Sequence, residues 1–482
     1  MRLLGRTGQS LKLLLGAEAM LLLLAVSSPL AAQTTNPNAG SGFPGFSGSS
    51  NDQVRPRLVL GSTGEMLRLS QVKGDEQAGG GAITLEAASG DNWQKLVELR
   101  SPEKGVTLRD PELAISPSNE MALVYRWWRN SPRAKQLRLA RSDDGGKTWS
   151  RSEQPIDSSG QVFDPNAAWG AGKTLVLVWA DERRGGKAFD VYARRSPDGG
   201  VTWGPEQLLS EFPEKVPSDA FARPRLVSDG QDRYWAIWMG LRHGRSSLYM
   251  NRSVDGGRKW TDPVSLTGES QSVFGHNLQR AGDRMLLVWH DTRTGRDRLY
   301  AVASSDAGAT WTAPTRVDHL PESSEVAATS STMLLNADGE ALVAWQDARN
   351  GRDDIFLARS TDGGRTWGAE DQRMDADEPG TALSRFPSLA RAKDGRVVLA
   401  WDDDRAGLEN VYVRVRSAGA RPQWGPETRV SSPAPKLAAR LPQVRWAPDG
   451  ALYVAWEVWD HTTGASNLAK RIDTKILRFD NR

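Results

Sequence analysis

One pattern recurs along this chain and limits what it can fold into. At Ser142-Asp143-Asp144-Gly145-Gly146-Lys147-Thr148-Trp149 it reads Ser-x-Asp-x-Gly-x-Thr-Trp. It returns at 196–203, 253–260, 304–311 and 360–367, with Lys259 once in place of the Thr. Weaker copies end at Trp93 and Trp424, and the seven terminal tryptophans are 56, 54, 57, 51, 56 and 57 residues apart. A nearly fixed period of this length signals units that bury their apolar faces only by stacking on one another.

Each period holds three short apolar runs before the box and one after it. In the copy ending at Trp367 they lie at 332–335, 341–345, 353–358 and 371–374. Short runs bounded by turn residues are strands, and Asp229-Gly230, Asp338-Gly339, Asp394-Gly395 and Asp449-Gly450 suit tight hairpins. No segment beyond the N-terminal leader keeps a helical period. The fold class expected is therefore all-β, a β-propeller of four-stranded antiparallel blades over residues 55–482. Inner strands begin near Pro56, Pro111, Pro165, Pro224, Asn277, Thr332, Pro387 and Pro442, which makes eight blades the first expectation. Seven remain open if the terminal segments share a blade. The last repeat lacks a box, and its run at 474–479 is expected to be an outer strand.

The box explains itself mechanically. Its Asp can accept turn amides, its Gly supplies a positive φ, and its Trp packs beside the sheet. Of 19 tryptophans, seven end boxes and six more (Trp179, Trp238, Trp289, Trp345, Trp401, Trp456) end second strands, so most are scaffold.

Residues 1–32 read as a signal peptide: basic residues, an apolar run over 19–26, then small residues up to Ala32. Glu18 interrupts the run and leaves it too short for a retained anchor. Residues 33–54, rich in Gly, Ser, Pro and Asn, read as a flexible linker. A periplasmic or secreted chain without a membrane anchor follows, expected to act as a monomer. The net charge of +3 falls to about +1 without the leader, which argues against nucleic acid as a partner. With no cysteine, disulfides, thiolate metal sites and cysteine nucleophiles are excluded. No cofactor or metal is expected: the five histidines (His243, His276, His290, His319, His461) lack ligand spacing, and Asp402-Asp403-Asp404 lacks that of a calcium loop.

The boxed repeat resembles the sialidase superfamily, the bacterial neuraminidase repeat propellers, over nearly the whole chain after the leader. In that family the boxes lie away from a site that uses three arginines for a substrate carboxylate, a Tyr–Glu nucleophile pair and an Asp acid/base. The resemblance points to the inner-strand starts, on the face opposite the boxes. There Arg109, Arg223, Arg385 and Arg440 precede or nearly precede a proline. Arg385-Phe386-Pro387 and Arg440-Leu441-Pro442 look like the family's Arg-x-Pro element, whereas Arg223-Pro224 lacks the middle residue. Asp110 and Asp164 are the acid/base candidates. Tyr192, Tyr249, Tyr300 and Tyr412 share one repeated position and read as core, and eight repeats exceed the six blades of sialidases.

A second motif, Trp-x-Asp-x-Arg-x-Gly, occurs at 179–185, 289–295, 345–351 and 401–407, and reads as structural because it repeats. Repeats two and eight depart from it with Arg126-Trp127-Trp128-Arg129 and Trp456-Glu457-Val458-Trp459-Asp460-His461. In a closed ring these repeats flank repeat one. Trp127, Trp128, Arg129, Trp459 and Asp460 are thus further ligand-binding candidates, as exposed loop aromatics. The expected function is binding of a glycan, peptide or protein partner on the arginine-bearing face. A glycoside hydrolase of exo-sialidase type is the alternative.

Overall fold

In the computed structural model the described residues are 57–72, 81–101, 103–129, 132–152, 154–184, 189–211, 223–242, 244–268, 270, 272–432, 434–461 and 469–479. The leader, the linker and His243 lie outside them. The described residues form eight antiparallel sheets, and within each sheet strand order follows chain order. They are the blades of an eight-bladed β-propeller: 57–100, 106–151, 162–208, 225–265, 273–316, 329–373, 384–429 and 437–477. First strands of successive blades contact one another around the ring and so face its axis.

Seven blades have four strands and the eighth has three. The run expected as an outer strand belongs to Ala469–Leu477, which pairs directly with the second strand, Leu452 opposite Leu477. It is the third strand of its blade. Among the described residues no sheet takes strands from both ends of the chain, and side chains join blades one and eight. Leu58 and Met66 of blade one pack with Tyr453 and Ala455 of blade eight, and Arg68 Nη1 donates to Thr474 Oγ1 at 3.1 Å.

The boxes are self-contained turns. Ser196 Oγ donates to Asp198 Oδ1 at 2.8 Å and accepts the Gly200 amide at 2.7 Å, while the Thr202 amide and hydroxyl both donate to Asp198. In the first box the Thr148 hydroxyl and amide, then the Ser142 hydroxyl, hold the Asp144 carboxyl down at about 2. Box amides also donate to the first hairpin of the same blade, Gly199 to Lys173 O and Gly363 to Gly339 O, so boxes and hairpins share a face. The weak copies have lost this network. Blade one turns through Gly90-Asp91 alone, and in blade seven Ser417 bonds Gln423.

The second motif is a clasp. In blade six Trp345 Nε1 donates to Asp347 Oδ2 at 2.8 Å, and Arg349 grips both oxygens of that fully buried carboxylate at 2.9 and 2.7 Å. The guanidinium then lies 3.8 Å above Phe356 and reaches Asp371, just before the fourth strand Gln372–Arg373. Blades three, five and seven repeat the ion pair and the stacking, with Arg183 over Tyr192, Arg293 over Tyr300 and Arg405 over Tyr412, while the indole bond recurs only from Trp179 and Trp289. In these four blades the second strand ends at the motif's Asp: Asp181, Asp291, Asp347 and Asp403. Where that Asp is missing, the strand runs two residues further, to Arg129, Arg242 and Asp460.

Candidate functional site

On the face opposite the boxes, the first strands share an irregularity. One residue per blade takes a positive φ: Asp110, Asp164, Arg223, Gly275, Ser330, Phe386 and Leu441 in blades two to eight. The corresponding residue of blade one lies outside the described residues. In five of the seven the next residue is proline, which cannot supply a ladder amide and marks a bulge. The bulge turns the preceding side chain toward the rim, where Arg109, Arg385 and Arg440 occupy one register position. Arg223 is not their counterpart: it stands at the bulge itself, beside Asp110 and Asp164 in the repeat.

Each rim arginine faces the residue after the second-strand aromatic: Arg109 opposite Arg126, Arg385 opposite Asp402, Arg440 opposite Glu457. Arg385 and Arg440 converge on Glu409, with Arg385 Nη2 donating to its Oε1 at 3.0 Å and Arg440 Nε 3.5 Å away. Phe386 lies 5.6 and 5.9 Å from the two guanidiniums, and Trp459 lies 4.8 Å from Arg440. Asp402 is completely buried behind this group. Burial pushes its carboxyl up to about 7, against the pull of Arg440 and Arg385 and of the Leu441 amide, which donates to Oδ2 at 2.9 Å.

Arg109 and Arg126 are like charges on facing positions, and the structure separates their roles. Arg109 is buried, stacks 3.8 Å over Trp128 and donates to Thr107 Oγ1. Arg126 pairs with Asp110 at 2.6 Å. Asp164 lies close to Asp110, Arg223, Arg225 and Arg126. Burial and then the Asp110 charge push its carboxyl up, although the three arginines oppose the shift. Arg57 pairs with Glu112 at 2.7 Å nearby. His276, buried beside Arg225 and Arg223, is depressed to about 3 by burial and by those cations, so it is neutral.

The aromatic segments of repeats two and eight are strand ends, not exposed loops. Trp127 and Trp459 are 9% and 8% exposed, and Trp459 packs with Leu441, Phe386 and Ile472. Of these aromatics only Trp128 is half-open. Arg129, 5.1 Å from the Trp127 ring, and Asp460 are the last residues of those strands. Sequence reading missed Asp402, Glu409, Arg126 and His276 as site residues. For Asp402 and Arg126 the signal available was position, directly after the second-strand aromatic; Glu409 carries no repeated signal.

Six of the seven tyrosines titrate above their ordinary value, in each case chiefly through burial. Asp354, Asp375 and Asp377 also gather closely, but Arg373 Nη2 stands among them at 2.9, 2.6 and 2.7 Å, where a cation would sit.

Residues 73–399 match the family described as BNR repeat-like domain. The chain belongs to that family. This BNR propeller, a member of the sialidase superfamily, is 23% identical over 359 residues to a sialidase of Micromonospora viridifaciens. The match covers 72% of the chain and 49% of that protein, so the propeller spans about half the length of this curated relative. Among solved structures, the BNR propeller is similar to a protein of unknown function from Dyadobacter fermentans, at 17% identity, TM-score 0.42, over 77% of this chain and 94% of that one. It is also similar to the intramolecular trans-sialidase of Ruminococcus gnavus, at 14% identity, TM-score 0.40, over 91% and 97%.

Proposed function

We propose that this protein is an exported BNR propeller that binds a glycan at the channel mouth opposite the boxes. The observation that carries this reading is the convergence of Arg385 and Arg440 on Glu409, with Phe386 and Trp459 packed against them. The two guanidiniums are already partly neutralised, so they suit hydroxyl-rich ligands better than a bare carboxylate. Ring hydroxyls can take the guanidinium N–H groups that Glu409 leaves, and Glu409 can accept in return. The sialidase relative fits a carbohydrate ligand. The tyrosines support binding over catalysis, because a phenol held above its ordinary pKa is a poor nucleophile.

Asp164 favours a second reading, a hydrolase of sialidase type. A carboxyl raised by burial and by a neighbouring carboxylate suits a general acid. Both readings meet one experiment on the protein lacking residues 1–32: a glycan array beside a fluorogenic sialoside assay. Saturable binding that weakens at least tenfold in Arg385→Ala, without sialoside turnover, is expected. Turnover abolished by Asp164→Asn would establish the hydrolase. No glycan retained, or retention indifferent to Arg385→Ala, overturns the binding site.

A further inference from the structure

We propose that the groove between the box turns of blades three and four docks an acidic segment of a partner protein, with apolar residues beside its carboxylate. This site lies on the box face and does not depend on the reading above. The groove holds about 550 Å³ and is lined by Arg195, Pro197, Trp203, Pro205, Gln207 and Arg258 among others.

Its two guanidiniums bond mainly to neutral groups. Arg195 Nε donates to Gly256 O at 2.7 Å and Nη2 to Thr174 Oγ1 at 3.3 Å, while Arg258 Nη1 donates to Asp255 O at 2.6 Å. Neither guanidinium has an ion-pair partner among the described residues. At the repeat position of Arg195, blades two and six neutralise the charge: Arg141 pairs with Asp143, and Arg359 pairs with Glu340. The place of Asp143 is taken by Pro197 in blade three and Val254 in blade four. The box carboxylates Asp198 and Asp255 spend their oxygens on amides and a hydroxyl of their own turns, so neither pairs directly with a guanidinium. Two guanidiniums with free N–H edges form a forked receptor for a carboxylate.

The rim is apolar in the same place. Only five large apolar side chains are exposed among the described residues, and three belong to these two blades: Val201 at 57%, Val254 at 60% and Val264 at 53%. Val201 adjoins Thr202 at the groove wall, and Val254 lies in the turn that carries Arg258. Trp203 adds a half-open ring whose indole N–H has no partner among the described residues, unlike that of Trp149, which donates to Gly146 O. A sugar would find few hydroxyl partners here, since Gln207 spends its amide on Gly257 O. Arginine and tryptophan with apolar neighbours instead match the composition of protein contact centres.

Phage-displayed random heptapeptides would be selected on the immobilised wild-type protein and, in parallel, on Arg258→Glu and Val254→Asp. Both changes lie on exposed turn positions, and unchanged melting verifies the fold. Enrichment of peptides with Asp or Glu beside leucine or valine is expected on the wild type alone. The synthetic winner should bind each variant at least tenfold more weakly by fluorescence anisotropy, with glycan binding at the opposite face unaltered. No enrichment, winners without a carboxylate, or equal affinity for all three proteins overturns the proposal. Oligogalacturonate retained by the wild type and lost in Arg258→Glu, with no peptide selected, overturns it in favour of an acidic glycan.

Discussion

Asp402, Asp403 and Asp404 are consecutive carboxylates with three different tasks. Asp402 accepts the amide of Leu441, the strained positive-φ residue of the next blade. Asp403 is clasped by Arg405, and Asp404 accepts the Leu383 amide and pairs with Arg352 at 2.9 Å. The division of labour in this run of acids was not legible in the sequence. Alternation along a strand fixes which side a residue faces, whereas its partner comes from another blade. Gln346 takes the Asp402 position in blade six and accepts the Phe386 amide in the same way. An amide can therefore do the structural work of Asp402 without a charge. The folded-state pKa of Asp402 is raised, so the folded protein holds this proton while the unfolded chain has released it. Asp402 therefore costs stability as pH rises from the ordinary carboxylate value of about 4 to about 7, and no further cost is added above that. Asp402→Asn should remove the trend. Relative to wild type, the variant should gain roughly 1–3 kcal/mol between pH 5 and pH 8 in urea unfolding. The comparison of the two proteins cancels the opposite slope of buried His276 and His290. A constant difference across that range would place the proton elsewhere.

The clasp decides where a hairpin ends, and this explains what the motif's departures meant. A buried Asp that must receive a tryptophan N–H, a backbone amide and a guanidinium forces the chain to turn at once. Without it the ladder continues for two residues, so the tryptophans of repeats two and eight became strand residues and two of them were buried. Sequence reading recognised the departure but took longer strands for exposed loops, since both break the motif alike. The strands themselves, the box turns and the arginines of the rim were readable because each repeats or interrupts a repeat. In blade six, Arg349→Ala should leave Asp347 charged and fully buried with only neutral donors, and cost about 2–4 kcal/mol by chemical denaturation. Arg349→Lys should recover less than half of this, because an ammonium cannot grip both oxygens and stack on Phe356 together. Full recovery by lysine would reduce the clasp to a simple charge pair.

At the scale of the ring, the eight-fold count was legible from the first-strand starts, six of them at prolines and two at Asn277 and Thr332, while the seam was not. Many contacts between neighbouring blades are made by residues a fixed period apart, but those across the seam join residues from the two ends of the described chain. Arg445 reaches the Leu58 carbonyl at 3.3 Å, and Arg68 reaches Thr474. With no strand shared between blades one and eight among the described residues, apolar packing carries the closure, centred on Leu58, Met66, Tyr453 and Ala455. Leu58 is completely buried, so Leu58→Ala should remove its transfer energy and leave a cavity, a loss of about 2–5 kcal/mol. The loss should not be spread evenly. A ring opens where its joint is weakest, and sub-global opening there exposes the inner strands of the two terminal blades first. In hydrogen exchange, the amides of Arg57–Leu60 and Leu437–Trp446 should lose protection in the variant by a larger factor than those of Val273–Ala281 in blade five. Leu286→Ala, an equally buried change between blades five and six, provides the control. If both variants loosen all blades equally, the ring unfolds as one unit and the seam is no weaker than any other joint.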